Sequence, residues 1–171
     1  MKTPLFKPQT EWLPPTDFPD LRKYDEIAID LETKDPNLNE RMGSGSVVGV
    51  GDVVGISLAT HDWCAYYPIA HEGGGNMDRK MVLKWLQDQM NTDSTKIFHN
   101  AMYDICWLRA IGINVKGQIV DTMIAASLVD ENRFRYDLNG LSRDYIGEGK
   151  DESVLQETAK SWGVDPKAEM Y

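Results

Sequence analysis

"YDEIAIDLETKD", residues 24–35, decides how the rest of the chain is read. Ile27 and Ile29 alternate with Ala28, Asp30 and Glu32, the period of a β-strand over Tyr24–Leu31 with the isoleucines on one face and the acids on the other. Two carboxylates one residue apart on one face of such a strand repel each other unless positive charge lies between them. A metal, a basic side chain or water alone could answer that repulsion.

Downstream, "TKDPNLNERMGSGSVVGVGD" (33–52) is rich in Gly, Ser, Asn and Asp and predicts a long loop. "VVGISLAT" (53–60) and "WCAYYPI" (63–69) are β-rich runs split at Thr60-His61-Asp62, an antiparallel hairpin. Asp78 is placed to cap "RKMVLKWLQDQM" (79–90), in which Met81, Val82, Trp85, Leu86 and Met90 recur at helical spacing. "KIFHN" (96–100) and "QIVD" (118–121) read as short strands. "MYDICWLRAIG" (102–112), "TMIAASLVD" (122–130) and "DLNGLSRDYIG" (137–147) read as helices, the first closed by Gly112 and the last by Gly147. Residues 148–171 form a mixed, polar tail. Ahead of it all, residues 1–22 hold five prolines and form an extended lead-in, strapped across the domain by Trp12 and Phe18. A three-strand antiparallel meander followed by strands alternating with helices gives an α/β fold, with a mixed five-stranded sheet and helices on both faces. A parallel dinucleotide-binding sheet would place a glycine-rich turn after its first strand, where this chain places two acids.

At 171 residues the chain supports one domain with a real core. A net charge of −9 excludes a protein that coats nucleic acid or membrane by charge, but leaves a nucleic-acid enzyme that grips through bound cations. Cys64 and Cys106 lack metal-ligand spacing and are too few for a disulfide framework, so they read as buried free thiols in a reducing cytoplasm. No apolar run approaches the roughly 20 residues of a membrane span, and the N-terminus has no signal-peptide core. The glycine-rich stretch 43–51 lacks the Lys-Ser/Thr of a phosphate-binding loop.

A second acidic position lies in "HNAMYDICWL" (99–108). A helix starting near Ala101 puts Asp104 one turn in, facing the strand end at Asn100, and an acid among Ile105, Cys106 and Trp107 is costly to bury unless paired or metal-bound. Carboxylates from two segments meeting at strand ends suit magnesium or manganese. Two such ions ~3.5–4 Å apart catalyse in-line displacement at phosphorus. The plainer readings are a solvated strand end beside Lys34 for Asp30 and Glu32, and a helix-surface acid for Asp104. Asp121 reads as an N-cap bonding amides near Ile124, His99 as structural, His61 and His71 as loop residues. Tyr66, Tyr67, Trp85 and Trp107 read as core. Asp137 fits an N-cap, Asp144 lies on a helix that could approach the acids, and Arg133, Arg135 and Arg143 form a solvated face or a phosphate contact.

"IDLET" (29–33) and "HNAMYD" (99–104) together resemble the Asp-x-Glu-Thr and Asn…Tyr/Phe-Asp motifs of the DEDD superfamily of 3′–5′ exonucleases. "IVDTMIAASLVD" (119–130) and "DLNGLSRDYIGEG" (137–149) resemble downstream segments of the proofreading domain of family A DNA polymerases, and the insert 35–59 is similar to that of the phage-type branch. The resemblance implies a ribonuclease H-like fold and two-metal hydrolysis of nucleotides from single-stranded DNA 3′ ends, with two Mg²⁺ or Mn²⁺ ions. It implies that Asp30 bridges both metals, Glu32 holds the nucleophile-side metal and orients the attacking water, and Asp104 holds the second metal. Asn100 would contact the terminal nucleotide and Thr33 would approach it through its backbone. A polymerase domain in the full-length protein and a bacterial or phage-infected host cytoplasm are implied as well. The family's third motif, Tyr-x-x-x-Asp, does not occur in the tail, and Tyr145, ahead of it, is followed by Gly149 at the required place. The expectation is an exonuclease domain over 23–171, incomplete at its C-terminal end, with weak or absent hydrolysis. An RNA 3′-exonuclease, or a non-catalytic module that binds single-stranded nucleic acid or scaffolds a polymerase, are the alternatives.

Overall fold

A computed structural model describes residues 12–36, 38 and 44–163. The first half of the lead-in, much of the asparagine-rich loop and the end of the tail lie outside the described residues. Five strands form one sheet in the order β3-β2-β1-β4-β5. They are β1 (Glu26–Lys34), β2 (Asp52–Ala59), β3 (Cys64–Pro68), β4 (Thr95–Phe98) and β5 (Ile119–Asp121). β1, β2 and β3 pair antiparallel as the meander the sequence implies, while β4 joins β1 and β5 joins β4 in parallel. The helices are α1 (Gly45–Val48), α2 (Arg79–Met90), α3 (Ala101–Ala110), α4 (Thr122–Val129), α5 (Leu138–Ile146) and α6 (Ser153–Trp162).

The alternation in β1 fixes its faces. Ile27, Ile29 and Leu31 are buried, and Asp30 and Glu32 reach solvent on the other side. The buried face joins Ile56 and Leu58 of β2, Val82, Leu86 and Met90 of α2, and Trp107 and Leu108 of α3 in one core. Fully burying each such side chain is worth roughly 1.5–3 kcal/mol. Phe18 and Pro19 pack against this core: Phe18 stacks on Tyr67 with centroids 5.8 Å apart, and Trp85 donates its indole N–H to the Pro19 carbonyl at 2.9 Å.

Three features depart from the sequence reading. β1 runs to Lys34 because its ladder with β2 resumes after a register shift between Glu32 and Thr33. The expected polar tail contains α6, closed by left-handed Gly163 and anchored by buried Ala159. Both cysteines are free, but Cys64 is exposed and Cys106 only half-buried, because Cys64 opens the edge strand β3 on its uncovered face. Among the described residues no helix is long and apolar enough to cross a membrane.

Candidate active site

The exposed face of β1 forms the floor of a cleft of about 570 Å³, lined in part by Ala28, Asp30, Ser57, Tyr66, His99 and Leu138. Asp30 stands opposite Ser57 of β2, and Ser57 opposite Tyr66 of β3, so these residues form a row across three strands. Glu32 stands opposite Gly55 in the next row. Lys34, the nearby cation, forms an ion pair with Glu72.

Asp104 reaches β1 from α3. The parallel ladder between β1 and β4 ends at Ala28–Ile97, so further along β1 the amides on that edge have no strand partner. Buried backbone N–H groups require acceptors, and the Asp104 carboxylate takes the N–H of Leu31 at 3.2 Å. That peptide separates Asp30 from Glu32, so the second acidic segment docks between the first two acids. Asp104 is only 4% exposed.

The cost shows in the acidities. Burial, then the negative charge of Asp30, pushes Asp104 up to about 7 from 3.8, against the pull of the Leu31 amide. Asp30 and Glu32 are open to solvent, yet the surrounding cleft walls desolvate them enough to raise both. Asp30's charge adds to the rise at Glu32, while Lys150 opposes it at both residues. Three carboxylates whose charges are disfavoured by burial and by one another are hard oxygen donors in need of a cation. That chemistry fits Mg²⁺ or Mn²⁺. The geometry is more open than the donor chemistry: among the described residues no three His, Cys, Asp or Glu side chains are grouped closely enough to hold one ion.

Asn100 caps α3 in the left-handed conformation, φ 67° and ψ 54°. Its side chain is exposed and makes no cap bond. The conformation is held from outside, because Asp121 accepts the N–H groups of Asn100 at 3.0 Å and Ala101 at 2.8 Å. The same carboxylate accepts Met123 N–H at 2.9 Å and so caps α4, the role its sequence position suggested. Burial acts to raise the Asp121 pKa, but these backbone bonds outweigh it and hold it below the usual carboxylate value. The Thr33 hydroxyl bonds Tyr103 at 2.7 Å, and Tyr103 in turn donates to buried Asp35 at 3.2 Å. His99, read from the sequence as structural, bonds the Thr122 hydroxyl through Nδ1 at 2.9 Å but also lines the cleft near Asp30. Asp144 pairs with Arg133 on the surface and does not join the acids.

Two neighbours of the acids had no local signal in the sequence. Lys150 follows α5, held by its backbone N–H on Asn139 Oδ1 at 2.8 Å, and its charge acts on both Asp30 and Glu32. Tyr66, expected in the core, lines the cleft instead and bonds His71, while its neighbour Tyr67 fills the core. Alternation along β3 separates the two tyrosines, and only the sheet order reveals which face holds the acids.

Residues 18–171 match the family model described as 3′-5′ exonuclease, of the kind found in family A DNA polymerases. A DNA-directed DNA polymerase of Pseudomonas phage M6 is 32% identical over 179 residues, an alignment covering 100% of this chain and 27% of that polymerase. The chain thus spans about a quarter of that relative's length. Among solved structures, Brucella melitensis NrnC with bound Mg²⁺ superposes with a TM-score of 0.53 at 19% identity, covering 89% of this chain and 63% of NrnC. Escherichia coli RNase D, an exoribonuclease, gives 0.55 at 17% identity, covering 77% of this chain and 30% of RNase D. These two likenesses carry the ribonuclease H-like fold. With the family model matched from residue 18 onward, this chain belongs to the 3′–5′ exonuclease family associated with DNA polymerases.

Proposed function

We propose that the cleft removes nucleotides from single-stranded DNA 3′ ends, with Asp30, Glu32 and Asp104 holding divalent cations, Mg²⁺ or Mn²⁺, over the scissile phosphodiester. The observation that carries the reading is the Asp104–Leu31 bond, which docks a buried, charge-disfavoured carboxylate between the two acids of β1. Bound there, divalent cations supply a water acidified enough to attack and a counter-charge for the leaving 3′ oxygen. The chain's own residues do the rest. Asp30, whose charge acts on both Glu32 and Asp104, would hold the cations together with them. Glu32 would orient the attacking water, and Asp104, bonded to the β1 edge, would hold a cation. Asn100 meets the terminal nucleotide from its exposed corner, and the Thr33 main chain flanks it. The apolar part of the cleft floor, Ala28 and Ile97, offers a surface for a base or sugar. The likeness to phage polymerases supports a polymerase domain as partner and proofreading as the role.

Because no three acids among the described residues are grouped closely enough to hold one ion, slow hydrolysis is the expected outcome. The test is a 5′-labelled single-stranded DNA oligonucleotide, with an RNA oligonucleotide of the same sequence, incubated with excess protein in Mg²⁺ and in Mn²⁺. The expected result is a ladder of 3′-shortened DNA, absent in EDTA and absent for Asp30→Ala. No shortening, or shortening that survives Asp30→Ala, contradicts the proposal. Faster shortening of the RNA arm replaces DNA with RNA as the substrate.

A further inference from the structure

Tyr66 does something that a core tyrosine does not. It sits in the row with Asp30 and Ser57, but its side chain leans along the sheet across β2 and ends over Gly55. A Cβ at position 55 would overlap the Tyr66 hydroxyl, so this crossing requires a glycine there. Gly55 is the residue paired with Glu32. Directly paired residues of an antiparallel ladder lie about 4.5–5.5 Å apart at Cα, which brings the phenol to the Glu32 side of the cleft. The phenol is close enough to Glu32 for the carboxylate's charge to act on it.

The hydroxyl is also held from behind. His71 Nε2 bonds it, with the rings 5.9 Å apart and nearly edge-on. The loop that carries His71 is closed by Asn76, whose side chain accepts the His71 N–H at 2.7 Å and donates to the His71 carbonyl at 2.8 Å. The hydroxyl is therefore held by His71 and lies over a residue that has no side chain, the one paired with Glu32. We propose that Tyr66, fixed by His71, is a positioning residue of the proposed active site: its hydroxyl orients Glu32 and the water beside it. Glu32 as an anion only accepts hydrogen bonds. The arrangement that satisfies all three groups runs His71 Nε2–H to Tyr66 oxygen, and Tyr66 O–H to the Glu32 carboxylate, directly or through one water. One Glu32 oxygen is held in place and the other faces the cation position.

This inference rests on the active-site reading and is separable from it. The primary readout is Mn²⁺ affinity by calorimetry on the whole chain, with oligonucleotide turnover as the second. Tyr66→Phe keeps the ring and its packing, and is expected to weaken Mn²⁺ several-fold and to lower kcat about 10- to 100-fold with KM little changed, the size of effect that follows from misplacing a reacting group. Gly55→Ala, which leaves Tyr66 in the sequence but takes its hydroxyl's place, is expected to do the same. His71→Gln, which keeps an N–H donor, retains more affinity and turnover than His71→Leu. If Asp30→Ala weakens Mn²⁺ and stops turnover while Tyr66→Phe and Gly55→Ala match the parent protein in both, the positioning role is wrong and the active site stands. If Asp30→Ala leaves Mn²⁺ affinity and turnover intact, the active-site reading itself is wrong. A Tyr66→Phe protein that melts lower but binds Mn²⁺ as the parent does assigns Tyr66 to packing alone and overturns the inference.

Discussion

The carboxylate of Asp104 accepts the backbone N–H of Leu31, the residue that separates Asp30 from Glu32, at 3.2 Å. One hydrogen bond thus joins acids more than 70 positions apart in sequence, and it does so by burying a charge. Asp104 is raised to about 7 from 3.8. An acid whose folded pKa lies above its unfolded value binds more protons when folded, so stability falls as pH rises between the two. The stabilising contribution of protonated Asp104 is fully present below pH 3.8 and is lost as pH climbs through about 7. The full shift corresponds to about 4 kcal/mol. Asp30 and Glu32 shift in the same direction. In EDTA the parent protein is therefore expected to melt lower as pH rises across this window. Asp104→Asn keeps an acceptor for Leu31 without the charge; it should flatten that slope and be more stable than the parent above pH 7 by about 2–4 kcal/mol. Parallel melting curves for the two proteins across this range would count against the burial of this charge.

Asp121 stabilises two helix starts at once, with bonds to the N–H groups of Asn100, Ala101 and Met123. A single cap is worth about 0.5–2 kcal/mol. Asp121→Ala is expected to cost about 2–3 kcal/mol, beyond the range of one cap. Chemical denaturation measures it, and a loss no larger than that of Asp78→Ala, which removes only the cap bond to Met81, would argue against the double role.

Asn100 separates fold from contact. At φ 67° its backbone already has a conformation that glycine adopts freely. Asn100→Gly should leave the melting temperature unchanged, whereas Asn100→Val should cost about 1–2 kcal/mol because the branched side chain resists the left-handed region. If the exposed amide meets the terminal nucleotide, Asn100→Gly raises KM for the oligonucleotide at constant stability. An unchanged KM would leave Asn100 a backbone residue only.

Local rules made much of this molecule legible. The alternation of Ile27, Ile29 and Leu31 with Asp30 and Glu32 gave the faces of β1, and a capping acid ahead of each run placed α2, α4 and α5 at Asp78, Asp121 and Asp137. Asp30 and Glu32 stood out as two acids on one strand face, and Asp104 as an acid among apolar neighbours, where burial of charge is rare. What stayed hidden depends on pairing between distant segments. The register shift after Glu32 is set by β2, and the Asp104–Leu31 bond exists because the β4 ladder stops at Ala28. Tyr66 and Lys150 reach the acids across the sheet and from beyond α5, with no periodicity to announce them. α6 was missed because its sequence is mostly polar, with Val154 exposed and only Ala159 well buried among its described side chains.

The central claim is that Asp30, Glu32 and Asp104 together hold divalent cations. Calorimetric titration of Mn²⁺ into the parent protein, Asp30→Asn, Glu32→Gln and Asp104→Asn tests it most directly, since each substitution keeps the side chain's shape. Partners that merely support a metal ligand are worth roughly 10- to 100-fold in affinity, so loss of a ligand's charge should weaken Mn²⁺ by at least about tenfold in each variant. Saturable binding by the parent, lost in all three variants, is the predicted result. Equal Mn²⁺ affinity in the four proteins would contradict the account.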